Sequence, residues 1–122
     1  MNRFILCILL ALVGVSCQQS VNSITKVDKT FLKEEVLGKD VQLVDVRTPE
    51  EYEAGHIQGA VNYNIINSEA FLGQIKALDK DQPVYLYCKM GGRSDRAANL
   101  LKEQGFSKIF DYSGGYNDWV TD

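Results

Sequence analysis

Strand-like and helix-like segments alternate along this chain. Two compact apolar runs, VQLVDV at 41–46 and VYLYC at 84–88, are rich in β-branched or aromatic residues and predict buried strands. Shorter segments at 24–27, 62–66 and 108–112 predict further strands. We therefore expect about five strands, separated by segments with another periodicity.

Those intervening segments carry helix start and stop signals. Asp28 is a candidate N-cap for a helix that ends near Gly38, and Ser68 is a candidate N-cap for a later helix. The TPEE segment at 48–51 is a capping box with Pro at the first helical position. Further helices are predicted at 94–104 and in the closing GGYNDWV segment. Strands alternating with helices predict an α/β domain, with a mostly parallel central sheet and helices on both faces.

The first residues have a different pattern. Arg3 precedes an apolar run at 4–15 that is too short to span a bilayer core of about 30 Å, which is typical of a signal peptide. The Gly-Val-Ser-Cys ending resembles a bacterial lipoprotein cleavage box, in which Cys17 becomes the lipidated first residue; an ordinary signal peptide cut nearby is the alternative.

These features predict the domain organisation. It consists of a signal peptide at 1–16, a lipid-attachment Cys and polar tether at 17–23, and one folded domain at 24–122. The protein would be exported to the cell envelope or periplasm and held on a membrane only by its lipid.

Composition and charge narrow the function classes. The chain has 122 residues, of which 45% are hydrophobic and 24% charged, enough for one core. A formal net charge of -3 argues against a nucleic-acid-coating protein. Any site for an anion must therefore be built locally.

The cysteines leave one thiol in the predicted mature domain. Cys7 departs with the signal peptide and Cys17 is blocked by lipid, so only Cys88 remains and no internal disulfide can form. An unpaired Cys in an oxidising compartment is either buried and inert or kept exposed for a chemical reason.

The segment CKMGGRS at 88–94 favours a chemical reason. Gly91 and Gly92 permit a tightly curled loop, and Arg93 and Ser94 open the helix that follows. Backbone N–H groups and the helix dipole would then favour a negative charge on Cys88, which lowers the thiol pKa from its free value of about 8.5. The alternative is a core Cys at the end of a strand, which would need neither the glycines nor the arginine.

The same segment resembles the signature of active rhodanese-like domains, Cys-x-x-Gly-x-Arg followed by Ser or Thr. Three flanking motifs extend the resemblance over residues 44–119. They are Asp-x-Arg at Asp45–Arg47, Gly-His-Ile-x-Gly-Ala at 55–60, and Gly-Gly-x-x-x-Trp at 114–119.

This resemblance implies a rhodanese-like three-layer sandwich and a thiosulfate sulfurtransferase activity. Cys88 would take the outer sulfur of a small anionic donor such as thiosulfate and hold it as a persulfide for a thiol or cyanide acceptor. The loop residues would bind the donor or the persulfide, with Arg93 orienting the anion: Lys89, Met90, Gly91, Gly92, Arg93 and Ser94. The resemblance implies no metal, no organic cofactor and no nucleic-acid partner.

Two rival functions belong to other classes. Cysteine phosphatases and related arsenate reductases hold an oxyanion within Cys-x5-Arg, whereas only four residues separate Cys88 from Arg93, a tighter cradle that suits a sulfur atom. A non-catalytic rhodanese-fold module that binds or senses sulfur is the other possibility, although this chain keeps the cysteine that inactive members commonly lack.

The flanking polar residues predict support for the loop. Asp45 would bond loop N–H groups and Arg47 would pair with Glu51 or Glu53. His56 is the only histidine; we expect a hydrogen-bonding role, since a thiolate activated by its loop needs no general base.

Overall fold

A computed structural model describes residues 22–122, which form one five-stranded sheet flanked by helices. The predicted signal peptide and lipid-attachment site therefore lie outside the described residues. The strands are β1 Ser23–Val27, β2 Gln42–Asp45, β3 Val61–Asn62, β4 Val84–Tyr87 and β5 Lys108–Tyr112. Their order is β1-β5-β4-β2-β3, and every neighbouring pair is parallel.

Five helices connect or follow these strands. They are α1 Lys29–Glu35, α2 Pro49–Ala54, α3 Ser68–Gln74, α4 Gly92–Glu103 and α5 Gly115–Trp119, and a 3₁₀ turn at Ile75–Ala77 continues α3. Within residues 22–122, none of these helices has the length and hydrophobicity needed to cross a bilayer.

Alternating side chains of the strands fill a core on each face of the sheet. Along β4, Val84 and Leu86 pack with Cys88 among residues of α3 and α4. The intervening Tyr85 and Tyr87 pack on the opposite face, among residues of α1, α2 and α5. The predicted α/β sandwich with helices on both faces is therefore confirmed, and the sheet is parallel throughout the described residues.

The predicted caps of α1 and α2 are confirmed. Asp28 Oδ1 accepts a hydrogen bond of 2.9 Å from Phe31 N–H at the start of α1. The capping box of α2 is also confirmed, since Thr48 Oγ1 accepts from Glu51 N–H at 3.3 Å and Glu51 Oε1 accepts from Thr48 N–H at 3.2 Å. Both caps join residues three positions apart, so their signal lies within one short segment of the sequence.

The prediction that Ser68 caps α3 is wrong. Asn67 is the cap, and its Oδ1 accepts from Ala70 N–H at 3.1 Å. Ser68 is already the first helical residue, and its hydroxyl contacts Arg96 instead. Asn and Ser are almost equally good caps, so tertiary contacts decided between adjacent candidates.

Several element boundaries also differ from the predictions. β3 covers only Val61–Asn62 rather than 62–66, because Asn64 turns the chain through its side chain, whose Oδ1 accepts from Ile66 N–H at 3.1 Å. α4 begins at Gly92, two residues before the predicted start, and Ser23, predicted as the end of the tether, is the first residue of β1.

Candidate active site

Cys88 lies directly after β4, at the carboxyl edge of the parallel sheet. The neighbouring strands β2 and β5 end at Asp45 and Tyr112, in register with Tyr87. The loops that follow these three strands therefore meet around Cys88, which is where ligands bind in open α/β sheets.

The Cys88 sulfur is enclosed by its own loop. Its Sγ accepts a hydrogen bond of 3.0 Å from Gly91 N–H and lies 3.5 Å from Ser94 Oγ. The Ser94 hydroxyl is also 3.2 Å from the carbonyl oxygen of Gly91. Only 1% of Cys88 is exposed, so the thiol is buried yet surrounded by polar groups.

Two opposed effects set the pKa of this thiol. Burial raises the pKa, but hydrogen bonds from the Ser94 hydroxyl and from the backbone N–H groups of Ser94, Gly91 and Met90 outweigh burial. The net result is a lowered pKa for Cys88. Hydrogen bonds that favour the charged form are the usual cause of such a shift, so this buried cysteine differs from an inert core thiol.

Gly91 is required by the shape of the loop. It has φ of +103°, a left-handed conformation, and a Cβ at this position would lie 2.6 Å from the carbonyl oxygen of Ser113. Any other residue would be both strained and in collision with the loop after β5.

The loop after β5 in turn holds the Cys88 loop from outside. Tyr116 N–H donates to Cys88 O at 2.8 Å, and Asn117 N–H donates to Lys89 O at 3.1 Å. Gly115 permits this approach, because a Cβ there would lie 2.4 Å from Lys89 O. The closing Gly-Gly-x-x-x-Trp motif therefore fixes the backbone beside the thiol.

Arg93 is held by Glu51, which the sequence predicts as a helix cap and as a candidate partner of Arg47 rather than of Arg93. Its Nη1 and Nη2 donate to Glu51 Oε1 and Oε2 at 2.6 and 2.9 Å, a bidentate ion pair. Hydrogen bonding to Glu51 is the largest effect that raises the pKa of Arg93, and the charge of Cys88 raises it further. Arg93 thus lies within electrostatic reach of the thiol.

The remaining loop residues face solvent. Lys89, Met90 and Gly92 are exposed, Met90 to 74%. Ser94, by contrast, is fully buried beneath the sulfur. The six loop residues singled out in the sequence therefore divide into an inner group around the thiol and an outer rim.

Asp45 and Arg47 form a buried network behind the site. Arg47 Nη2 donates to Asp45 Oδ2 at 2.7 Å and to Gly55 O at 2.6 Å, and the Tyr87 hydroxyl donates to Asp45 Oδ2 at 2.7 Å. The predicted pairing of Arg47 with Glu51 or Glu53 is wrong, since Asp45, two residues earlier, is its partner. The Arg47 guanidinium also lies 4.3 Å from the ring centre of Tyr116, which links this network to the loop after β5.

His56 lies beside this network. Its Nδ1 is 2.9 Å from Tyr52 O, and its ring stacks on the Tyr52 ring with centres 3.8 Å apart. His56 is exposed to solvent, and its described contacts are with Tyr52 of the preceding helix α2 rather than with the thiol.

Other concave or polar features of the described residues lie elsewhere. A cavity opens at the opposite edge of the sheet, near the first residues of β2 and β4, and is lined by Asp40, Val41, Gln42, Gln82, Pro83 and Tyr85. Within residues 22–122, no group of three or more His, Cys, Asp or Glu side chains is arranged to bind a metal ion.

Sequence reasoning missed two residues of this site. Glu51 lies 42 positions from Arg93, and Tyr116 supplies the N–H that bonds Cys88 O. The sequence predicts Glu51 as a cap and as a candidate partner of Arg47, and no local spacing relates it to Arg93.

Comparison with known proteins places this geometry in a family. The model of the rhodanese-like domain family matches residues 28–122. The uncharacterised protein YqhL of Bacillus subtilis is 38% identical over 96 residues, covering 77% of this chain and 74% of its own length. The thiosulfate sulfurtransferase GlpE of Shewanella oneidensis is 41% identical over 81 residues, covering 66% of this chain and 77% of its own.

Solved structures show the same fold. A rhodanese-like domain protein from Staphylococcus aureus superposes with a TM-score of 0.70 at 27% identity, covering 80% of this chain and 93% of its own. The human single-domain sulfurtransferase TSTD1 gives a TM-score of 0.65 at 26% identity, covering 78% of this chain and 94% of its own.

Proposed function

We propose, since this chain belongs to the rhodanese-like domain family, that it is a sulfurtransferase carrying sulfane sulfur on Cys88. Relatives named thiosulfate sulfurtransferase, 40 and 41% identical to this chain, support that activity at the level of the family. The proposed donor is thiosulfate or a similar small anion, and the proposed acceptor is a thiol or cyanide.

The proposed reaction has two balanced steps. The Cys88 thiolate attacks the outer sulfur of thiosulfate, a new S–S bond forms, and the bond between the donor sulfurs breaks with its electron pair leaving on sulfite. Cyanide or a thiolate acceptor then attacks the outer sulfur of the persulfide. The acceptor leaves as thiocyanate or a new persulfide, and the Cys88 thiolate is regenerated.

One observation carries this proposal: the buried sulfur of Cys88 lies inside its own loop, where it accepts a hydrogen bond from Gly91 N–H, an environment that lowers the pKa of the thiol. Covalent sulfur transfer needs a thiolate before the reaction and must stabilise a persulfide anion after it. The N–H group of Gly91 and the hydroxyl of Ser94 lie within reach of that charge. The start of α4, a helix of 12 residues, adds the positive end of its dipole.

Arg93 and Lys89 would orient the anionic end of the donor. Glu51 engages two of the five guanidinium N–H donors of Arg93, which leaves others for donor oxygens. Lys89 is exposed at the mouth of the site and would contribute as a point charge.

A panel of donors with sulfite as the readout tests the proposal. We expect purified protein to release sulfite from thiosulfate, Cys88→Ser to release none, and Arg93→Ala to lose more activity with anionic donors than with neutral ones. Efficient hydrolysis of an aryl phosphate without sulfite release would contradict the assignment and favour a phosphatase.

Burial of the thiol supports a second candidate, a module that stores or senses sulfur without turnover. At 1% exposure, a persulfide on Cys88 would be shielded from acceptors. Adding cyanide or a small thiol to the sulfur-loaded protein separates the two functions. A sulfurtransferase returns the free thiol, whereas a storage module keeps its sulfur.

We also propose that the chain is exported and anchored by a lipid on Cys17. The apolar run at 4–15 and the Gly-Val-Ser-Cys sequence that ends at Cys17 support this proposal. Expression with a labelled fatty acid should label the protein in the membrane fraction, and Cys17→Ala should remove the label. An unlabelled, membrane-free product from the unaltered chain would exclude the lipid.

A further inference from the structure

Glu51 occupies an unusual position beside the Cys88 loop. It belongs to α2, yet both of its carboxylate oxygens bond the guanidinium of Arg93 at the start of α4. The two side chains are 27% and 28% exposed, so the pair is partly shielded from water.

The capping box fixes the Glu51 carboxylate before Arg93 reaches it. Oε1 accepts from Thr48 N–H at 3.2 Å and lies 3.1 Å from Thr48 Oγ1, in addition to its bond of 2.6 Å with Arg93 Nη1. A cap needs only one carboxylate oxygen, but here the second oxygen, Oε2, is also used, by Arg93 Nη2. Glu51 therefore holds Arg93 through a carboxylate that is itself immobilised.

This arrangement offsets the positive charges of the two arginines behind and beside the Cys88 loop. Arg47 is paired with Asp45, and Arg93 is paired with Glu51. Each arginine charge is therefore offset by a carboxylate, whereas the negative charge of a Cys88 thiolate is not offset by either pair. Lys89 is exposed, where water and salt screen its charge. The site as built therefore attracts a doubly charged anion less strongly than it would if Arg93 had no acidic partner.

We propose that Glu51 determines the donor preference of the Cys88 site, by holding Arg93 in a bidentate ion pair and offsetting its charge against doubly charged donors. The donor preference rests on the proposed function. The repulsion by Glu51 does not, because it would act on any anion that approaches Cys88. Glu51 acts through Arg93 and is a positioning residue rather than a catalytic one.

The charge of Glu51 can be removed with little change of shape. Glu51→Gln keeps the length of the side chain, and Gln also serves in a capping box, so α2 should retain its start. Glu53→Gln is the matched control, because Glu53 is exposed on the same helix and the substitution changes the net charge equally.

Alkylation of Cys88 tests the electrostatic part without any sulfur chemistry. Iodoacetate and iodoacetamide are similar in size and differ by one negative charge, so their rate ratio at one pH cancels the fraction of thiolate. We expect Glu51→Gln to raise the ratio of iodoacetate to iodoacetamide rates by about threefold to tenfold, and Glu53→Gln to leave it unchanged. An equal ratio in wild type and Glu51→Gln would overturn the proposal.

Donor kinetics test the functional part. Thiosulfate carries two negative charges and methanethiosulfonate one, and both present a terminal sulfur. In Glu51→Gln we expect KM for thiosulfate to fall by about threefold or more, with a smaller fall for methanethiosulfonate. Equal changes for the two donors would overturn the assignment. If neither donor loads Cys88 in wild type, the proposed function fails, while the alkylation ratio still decides the role of Glu51.

An Arg93→Gln background provides a second test that is independent of helix capping. Removing the Glu51 charge should change the alkylation ratio and the KM for thiosulfate less in this background than with Arg93 present, because only the through-space repulsion by Glu51 remains and no guanidinium is held. A Glu51→Gln effect of equal size in both backgrounds would show that Glu51 does not act through Arg93, and would contradict the proposal. Thermal unfolding of each variant identifies any that fail to fold.

Discussion

Ser94 is the residue that most directly opposes the effect of burial on the Cys88 thiol. Its hydroxyl is the largest influence that lowers the pKa of Cys88, ahead of the backbone N–H groups. The hydroxyl is fully buried and lies between the sulfur and the carbonyl of Gly91. It can therefore turn toward Sγ when the thiol ionises.

Ser94→Ala should accordingly raise the pKa of Cys88. Without the hydroxyl, burial acts against the thiolate with less opposition, and we expect the pH profile of iodoacetamide alkylation to move to higher pH. Ser113→Ala, which alters an exposed serine in the facing loop, is the control and should leave the profile unchanged. A profile that stays in place in Ser94→Ala would assign the lowered pKa to the backbone alone.

At the scale of elements, the start of α5 and the Cys88 loop behave as one unit. Gly115→Ala should separate them, because the new Cβ would lie 2.4 Å from Lys89 O and 2.7 Å from Cys88 O. We expect a loss of about 1 to 3 kcal/mol in the free energy of unfolding, with reduced reactivity of Cys88.

Gly73→Ala is the matched control for that variant. Gly73 lies in α3, is exposed, and has nothing within 4 Å of an added Cβ. Alanine should there stabilise the helix by up to about 1 kcal/mol. Urea unfolding curves compare both variants with wild type, and equal effects of the two substitutions would contradict the close approach of α5 to the loop.

The sequence predicts contacts between residues that are close along the chain, but not those between residues far apart in the chain. The capping box joins Thr48 and Glu51, which are three positions apart in the chain, and was predicted in full. The pairing of the same Glu51 with Arg93 depends on how α2 and α4 are placed over the sheet, and was not predicted. The loop around Cys88 was predicted as an anion cradle, but its depth was not, because burial is a property of the assembled loops.

For the molecule as a whole, the ion pair between α2 and α4 makes stability depend on pH. Hydrogen bonding to Arg93 is the main cause that lowers the pKa of Glu51 from 4.5 to about 2. A carboxyl group with a lowered pKa in the folded state stabilises that state above its unfolded pKa, and this contribution is lost as the pH falls from about 4.5 toward 2.

Glu51→Gln should therefore flatten the acid end of the stability profile. We expect it to destabilise the fold by about 1 to 2 kcal/mol at pH 7, a difference that shrinks as the pH approaches 2. Urea unfolding at pH 7 and pH 3 measures this, with Glu53→Gln as the reference. A Glu51→Gln deficit that is the same at both pH values would exclude the ion pair as its source.

The central claim is that Cys88 carries sulfur, and the mass of the intact protein after brief treatment with thiosulfate tests it most directly. We predict a gain of one sulfur atom that is reversed by cyanide and is missing in Cys88→Ser. An unchanged mass in wild type, or the same gain in Cys88→Ser, would contradict the claim.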